Sequence, residues 1–229
     1  MITRPAGKGS RCLVGVIADR AALAKATRLR TQPDFFELRL DALADSLAET
    51  ESALPQLGAP LICTARHPAE GGAHDLSTKK RMELLRRFLP HATFLDIELR
   101  SAAAMAPLLA EAKRATVAVL LSSHHLRDTP ETAALREELE AALAFQPKIF
   151  KIATRTDHAA QLDRLVTFFV ENSARIPLAA MGMGRQGRAS RRQLLRLGSA
   201  LNYAALGAAN VPGQPTLPEL RRTRDAYYL

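Results

Sequence analysis

Eight short β-type segments, each followed by a helical pattern, constrain this chain more than any other feature. Apolar and β-branched runs predict strands over 12–18, 35–41, 60–66, 93–99, 117–124, 149–154, 177–183 and 201–207. Helical spacing predicts helices over 21–29, 47–57, 79–88, 102–113, 131–143, 159–171 and 191–197, with an eighth starting near 218. Thr129-Pro130 reads as an N-cap followed by proline at the first helical position, and Thr216-x-x-Glu219 as a capping box. Strict alternation of this kind implies parallel strands joined by right-handed crossovers. Eight units in 229 residues fit one closed (β/α)8 barrel, a TIM barrel occupying 1–229 as a single catalytic domain. An open doubly wound sheet is the alternative. Its first turn is usually rich in glycine, and Ile17-Ala18-Asp19-Arg20 has none.

Two strands carry charge on alternate residues. In the second, Glu37, Arg39 and Asp41 share one face and Phe36, Leu38 and Leu40 the other; in the fourth, Asp96 and Glu98 alternate with Leu95, Ile97 and Leu99. The outer face of a barrel strand packs on helices and must be apolar, so the charges point into the barrel. Buried charge is costly unless paired, which makes this interior a candidate site. The bland alternative is the wet face of an antiparallel sheet, which the βα rhythm disfavours. Other polar groups fall at the carboxyl ends of strands, where barrels place their chemistry: the ionisable Arg66 and His124 and, past the eighth strand, the amide of Gln214.

Lys151 stands between apolar residues in Ile149-Phe150-Lys151-Ile152-Ala153. A lysine there loses hydration, which favours the neutral amine that can attack a ketone or aldehyde and form an imine. Neighbouring arginines would act in the same sense and carboxylates in the opposite one. Lys148 competes for this role but precedes the strand, at the wrong end of a barrel. His124 and His125 are adjacent, and either has the near-neutral chemistry of a general acid or base.

The bulk composition removes several classes of function. No apolar run approaches the ~18 residues of a membrane span, and no apolar stretch of the secretory type follows the basic start. Cys12 and Cys63 lie in predicted strands and fit neither a zinc spacing nor a disulfide framework, as expected in a reducing cytoplasm. The net charge of +9 suits either nucleic acid or a small anion. With three tyrosines and no tryptophan, the interleaving of basic and aromatic residues used by single-strand binders is absent.

Six motifs, in order, resemble those of the type I 3-dehydroquinate dehydratases, the Schiff-base enzymes of the shikimate pathway. They are Glu37-Leu38-Arg39-Leu40-Asp41; Arg66 with Glu70-Gly71-Gly72; Ser122-Ser123-His124-His125-Leu126 with Thr129-Pro130; Lys151-Ile152-Ala153; Met181-Gly182-Met183-Gly184 with Gly187 and Ser190-Arg191; and Pro212-Gly213-Gln214. The resemblance implies that Lys151 forms an imine with the C3 ketone of 3-dehydroquinate and that His124, rather than His125, moves the protons. It implies that Glu70 orients and tunes His124, and that Arg191 binds the substrate carboxylate. Glu37, Arg39, Arg66, Asn210 and Gln214 would contact substrate, Asp96 would support the lysine or histidine, and Met181 and Met183 would be apolar walls. No metal or dissociable cofactor is implied, and a homodimer is expected. The chain departs from the family pattern at Asn210-Val211, where Ser-Ala is usual, and at His125 and Leu126, where Asp/Asn and Phe are usual.

Two rivals remain at this level. Another imine-forming barrel, an aldolase or transaldolase, would share Lys151 but break a carbon–carbon bond; the Glu-Gly-Gly and Pro-Gly-Gln loops argue against it. A basic nucleic-acid-binding module would draw on the arginines from Arg185 to Arg196. The favoured partner is a small anionic substrate, with no nucleic acid and no membrane.

Overall fold

The computed structural model describes residues 6–207 and 212–226. Its eight strands are β1 (Cys12–Ile17), β2 (Phe35–Arg39), β3 (Leu61–Thr64), β4 (Ala92–Glu98), β5 (Ala118–His125), β6 (Ile149–Arg155), β7 (Leu178–Met183) and β8 (Leu201–Ala205). They form one parallel sheet in the order β7-β6-β5-β4-β3-β2-β1-β8. Because β1 pairs with both β2 and β8, the sheet curls on itself into a nearly closed barrel, as the alternation predicts.

The two end strands meet through a different set of bonds. The Ala200 amide donates to the Leu178 carbonyl at 2.7 Å. The Ser199 hydroxyl accepts from the Ala180 amide at 3.2 Å. The Arg191 guanidinium donates to Gly182 O of β7 at 3.1 Å and to Tyr203 O of β8 at 3.2 Å. One backbone bond and the side chains of Ser199 and Arg191 thus complete the hoop where a backbone ladder does so elsewhere.

Nine helices lie among the described residues: α1 (Arg20–Ala26), α2 (Leu47–Ala53), α3 (Thr78–Phe88), α4 (Leu99–Ala102), α5 (Ala106–Arg114), α6 (Thr132–Leu143), α7 (Ala159–Asn172), α8 (Gly187–Leu197) and α9 (Leu217–Asp225). The outward strand residues, among them Phe36, Leu38, Leu95, Ile97, Phe150 and Ile152, pack on this shell in one core. The inward residues near the amino ends, including Val14, Phe35, Ile62, Phe94, Leu120 and Ile149, form a second, apolar floor. On β2 to β6 the next inward step of two residues toward the carboxyl ends meets polar groups, Glu37, Thr64, Asp96, Ser122 and Lys151, all buried. The barrel interior is therefore an apolar plug carrying a charged layer.

Three local expectations change. The helix expected over 102–113 is broken into α4 and α5 around Met105, because Pro107 has no amide to continue the first turn. Thr129 does not cap α6, which begins at Thr132; its hydroxyl instead bonds Thr154 Oγ1 at 2.9 Å and Arg155 O at 2.7 Å, tying the loop to β6. The last barrel helix but one starts at Gly187 rather than 191, so Arg191 sits inside it. The Thr216–Glu219 capping box forms as expected. Outer arginines are matched to carboxylates of neighbouring helices, as in Arg87–Glu51 at 2.7 Å, Arg86–Glu111 at 2.8 Å and Arg188–Glu219 at 3.1 Å.

Candidate active site

The charged layer centres on Lys151. Its Nζ donates to Asp96 Oδ2 at 2.9 Å and to Glu37 Oε1 at 3.3 Å. These three residues come from β6, β4 and β2, alternate strands whose inward side chains share one level of the barrel. All are at least 96% buried, and a cation and two anions can occupy such a place only by pairing with each other and with more cations.

Arg66 supplies the next cation. It donates to both Asp96 oxygens, at 3.2 and 2.7 Å, to Glu98 Oε1 at 2.9 Å and to Ser122 Oγ at 2.7 Å. Burial pushes the Asp96 carboxyl up, but the Arg66 and Lys151 charges outweigh it and hold the group well below the usual carboxylate range. Glu98 is in turn gripped from the helical shell by Arg81 of α3, which also donates to Ala65 O at 2.7 Å and Ser101 Oγ at 3.1 Å. A continuous chain of buried charge therefore runs from Lys151 through Asp96, Arg66 and Glu98 to Arg81.

The structure separates the two histidines. Successive strand residues face opposite sides, so His124 faces the cavity while His125 points outward to Glu138 at 2.9 Å. The His124 Nδ1 lies 2.9 Å from Glu70 Oε2. A short turn, Pro68–Glu70, carries that carboxyl, and Gly71 ends the turn in the left-handed region at φ 86°, where a side chain would strain it. Burial, then the charges of Arg66 and Lys151, keep the imidazole neutral well below its ordinary pKa. Burial, then Glu98, raises the Glu70 carboxyl to about 7. Below that pH the protonated Glu70 donates to Nδ1 and Nε2 carries the hydrogen. Above it the carboxylate accepts from Nδ1–H, and Nε2 presents its lone pair to the cavity. We therefore expect kcat to rise with pH through about 7. Replacing Glu70 by Gln should remove that limb and lower kcat by about 10²-fold, as a pH–rate profile of both proteins will show; an unchanged limb in the variant would assign it to another group.

The other expected residues line the same cavity. Arg39 reaches it while held by Asp41 at 3.0 and 2.8 Å and by Gly71 O at 3.1 Å. Met181, Met183 and Gln214 are buried along its wall. Asp96 lies beneath, in contact through Lys151. Arg191 is turned inward and buried, unlike Arg188, Arg192 and Arg196 of the same helix, which are exposed. It is aimed by the start of α8: Ser190 Oγ accepts from the Gly182 amide at 3.0 Å, so close that a Cβ on Gly182 would lie 2.4 Å from that oxygen. Burial lowers the Arg191 pKa to about 10, and no carboxylate lies within ion-pair distance among the described residues. Asn210 lies outside the described residues. No group of three or more potential metal ligands occurs among those described.

Sequence reasoning overlooked Ser122, Arg81 and Tyr203. Ser122 shares the inward face with His124, a signal that alternation carries. Arg81 occupies the apolar stripe of α3 with Leu84, Leu85 and Phe88, where a charge should have stood out. Tyr203, in the uncharged strand β8, reads as ordinary core, yet its ring centroid is 4.0 Å from Lys151 Nζ.

The profile of the family described as type I 3-dehydroquinase matches residues 12–228. The 3-dehydroquinate dehydratase of Thermococcus onnurineus is 31% identical over 214 residues, 92% of this chain and 95% of that protein. That of Pyrococcus abyssi is 35% identical over 191 residues, 82% of this chain and 85% of that protein. The crystal structure of 3-dehydroquinate dehydratase from Geobacillus kaustophilus superposes with a TM-score of 0.87, covering 95% of this chain and 91% of that one at 22% identity, a likeness of fold.

Proposed function

The chain belongs to the type I 3-dehydroquinase family and acts as a hydro-lyase on 3-dehydroquinate, and from that premise we propose that it works through an imine on Lys151. The observation that carries the mechanism is the shared cavity: an amine nucleophile, a neutral imidazole and a buried guanidinium with no carboxylate partner among the described residues all border it. The amine adds to the C3 ketone, and loss of water leaves an iminium that draws electrons from the neighbouring carbons. His124 Nε2 takes a proton from C2, giving an enamine. The enamine expels the C1 hydroxyl, which leaves as water with the proton that His124 returns. A second water hydrolyses the imine, frees Lys151 and releases 3-dehydroshikimate. The net change is loss of one water.

Arg191 suits the substrate carboxylate. Its buried charge has no counter-ion among the described residues, and two of its five N–H groups already bind carbonyls that fix its plane. Glu37, Arg39, Arg66 and Gln214 would receive the hydroxyl groups, with Met181 and Met183 against the ring; Asn210 would join from the loop after β8. Lys151 itself supplies the electron sink, so the reading needs no metal or dissociable cofactor. A single-domain homodimer in the cytoplasm, serving the shikimate pathway, belongs to the same reading. No helix among the described residues is long and apolar enough to cross a membrane.

The test is direct. The protein mixed with 3-dehydroquinate should produce the ultraviolet absorbance of a conjugated enone, and borohydride added during turnover should fix the substrate's carbon skeleton to Lys151. Turnover without a fixed adduct would overturn the imine.

A further inference from the structure

Tyr203 stands beside the charged layer with a hydroxyl that none of the described residues bonds. Its ring lies beside Lys151 Nζ, 4.0 Å from centroid to nitrogen, and its oxygen is buried with no hydrogen-bond partner among the described residues. Among the described residues only Gln32 Oε1, outside this cavity, shares that condition. An unpaired buried hydroxyl is destabilising in the free protein, so its presence against the nucleophile calls for a state in which it is used. Burial, then the carboxylates of Glu37 and Asp96, keep the phenol from ionising, so it is available as a donor throughout the working range of pH.

The covalent chemistry changes the number of donors in this layer. The free ammonium has three N–H groups, of which one meets Asp96 and one Glu37. When the amine condenses with a ketone, the oxygen leaves as water and the protonated imine retains a single N–H. One carboxylate must lose its bond. Asp96 is the better provided, with two bonds from Arg66 and one from the Ser122 hydroxyl at 2.6 Å. Glu37 has only the Thr64 hydroxyl at 3.0 Å, with Arg66 at 3.9 Å. Glu37 is therefore the carboxylate left short.

We propose that Tyr203 is a positioning residue for the covalent intermediate: its ring faces the cationic nitrogen, and its hydroxyl gives Glu37 the hydrogen bond that Lys151 surrenders on becoming an imine. This rests on the imine reading of the site. It makes the active site less satisfied when empty than when loaded, and so draws the equilibrium toward the adduct.

Replacing Tyr203 by Phe keeps the ring and deletes the hydroxyl. The free variant should melt at the same temperature as the parent or higher, because the deleted group had no partner. At saturating substrate, the fraction of enzyme fixed by borohydride should fall several-fold, with kcat, while KM for the initial encounter changes less. Placing Tyr203→Phe on a Glu37→Gln background should cost little more than Glu37→Gln alone. A variant with the parent's kcat, KM and trapped fraction at every pH would overturn the role of Tyr203 while leaving the imine intact. If the parent itself fixes no substrate during turnover, the imine reading fails and this proposal with it. A variant that melts lower, and whose loss of activity adds in full to that of Glu37→Gln, would assign Tyr203 to packing.

Discussion

Replacing Lys151 by Ala should abolish the enone absorbance and the borohydride-fixed adduct together, with kcat falling more than about 10⁴-fold, as expected for removal of a covalent nucleophile. The loss should be accompanied by a change at His124. The Lys151 charge is one of the influences that depress the imidazole, after burial and Arg66. Its removal should raise the His124 pKa, which histidine NMR titration will show. The Asp96 carboxyl should move up for the same reason, since it loses one of the two cations that hold it down. The fold should survive, because Arg66 and Ser122 still serve Asp96 and Thr64 still serves Glu37. Turnover by the variant at more than a few percent of the parent rate would sink the assignment of the nucleophile.

The largest effect on stability should come from a residue remote from the cavity. Arg81 is 1% exposed and joins α3 to the buried Glu98. Arg81→Met fills similar volume but leaves Glu98 with one arginine instead of two and leaves the Ala65 carbonyl without its donor. Breaking one partner of a buried ion pair costs about 3–5 kcal/mol. In a chain of this size that corresponds to a fall of roughly 10 °C or more in Tm. At a temperature where the variant remains folded, kcat should stay within a few-fold, since Arg81 does not border the cavity. A variant that melts with the parent would show that Arg66 alone satisfies Glu98.

The sequence revealed the charged layer because a barrel strand is covered on its outer face by helices. A polar residue alternating with apolar ones can then point only inward, which is why Glu37, Arg39 and Asp96 could be placed by counting in twos, while Lys151 stood out by its apolar flanks. The same argument had no purchase on Tyr203, whose strand carries no charge, or on Arg81, which enters from a helix and depends on what α3 meets. Thr129 was misread because a hydroxyl before a proline suits a cap, while the neighbouring strand offered it better partners. The roles of Glu70 and Arg191 came from family resemblance. Composition alone could not distinguish Arg191 from the exposed arginines beside it, and only the start of α8 at Gly187 turns it inward. The nucleic-acid reading loses ground for a related reason: arginines on several outer helices already face carboxylates of the next helix.

The joint between β7 and β8 has a mechanical meaning. Seven of the eight junctions in the barrel are ladders of backbone bonds and resist opening along their length. The eighth is a clasp of few points, and one of its pins is the guanidinium that the proposed reaction assigns to the substrate's charge. A carboxylate arriving there would neutralise the pin and immobilise it, so the ligand would act as a rivet in the weakest joint. Stiffness of the whole hoop and occupancy of the site then become the same variable, and the protein would be most easily pried open between turnovers.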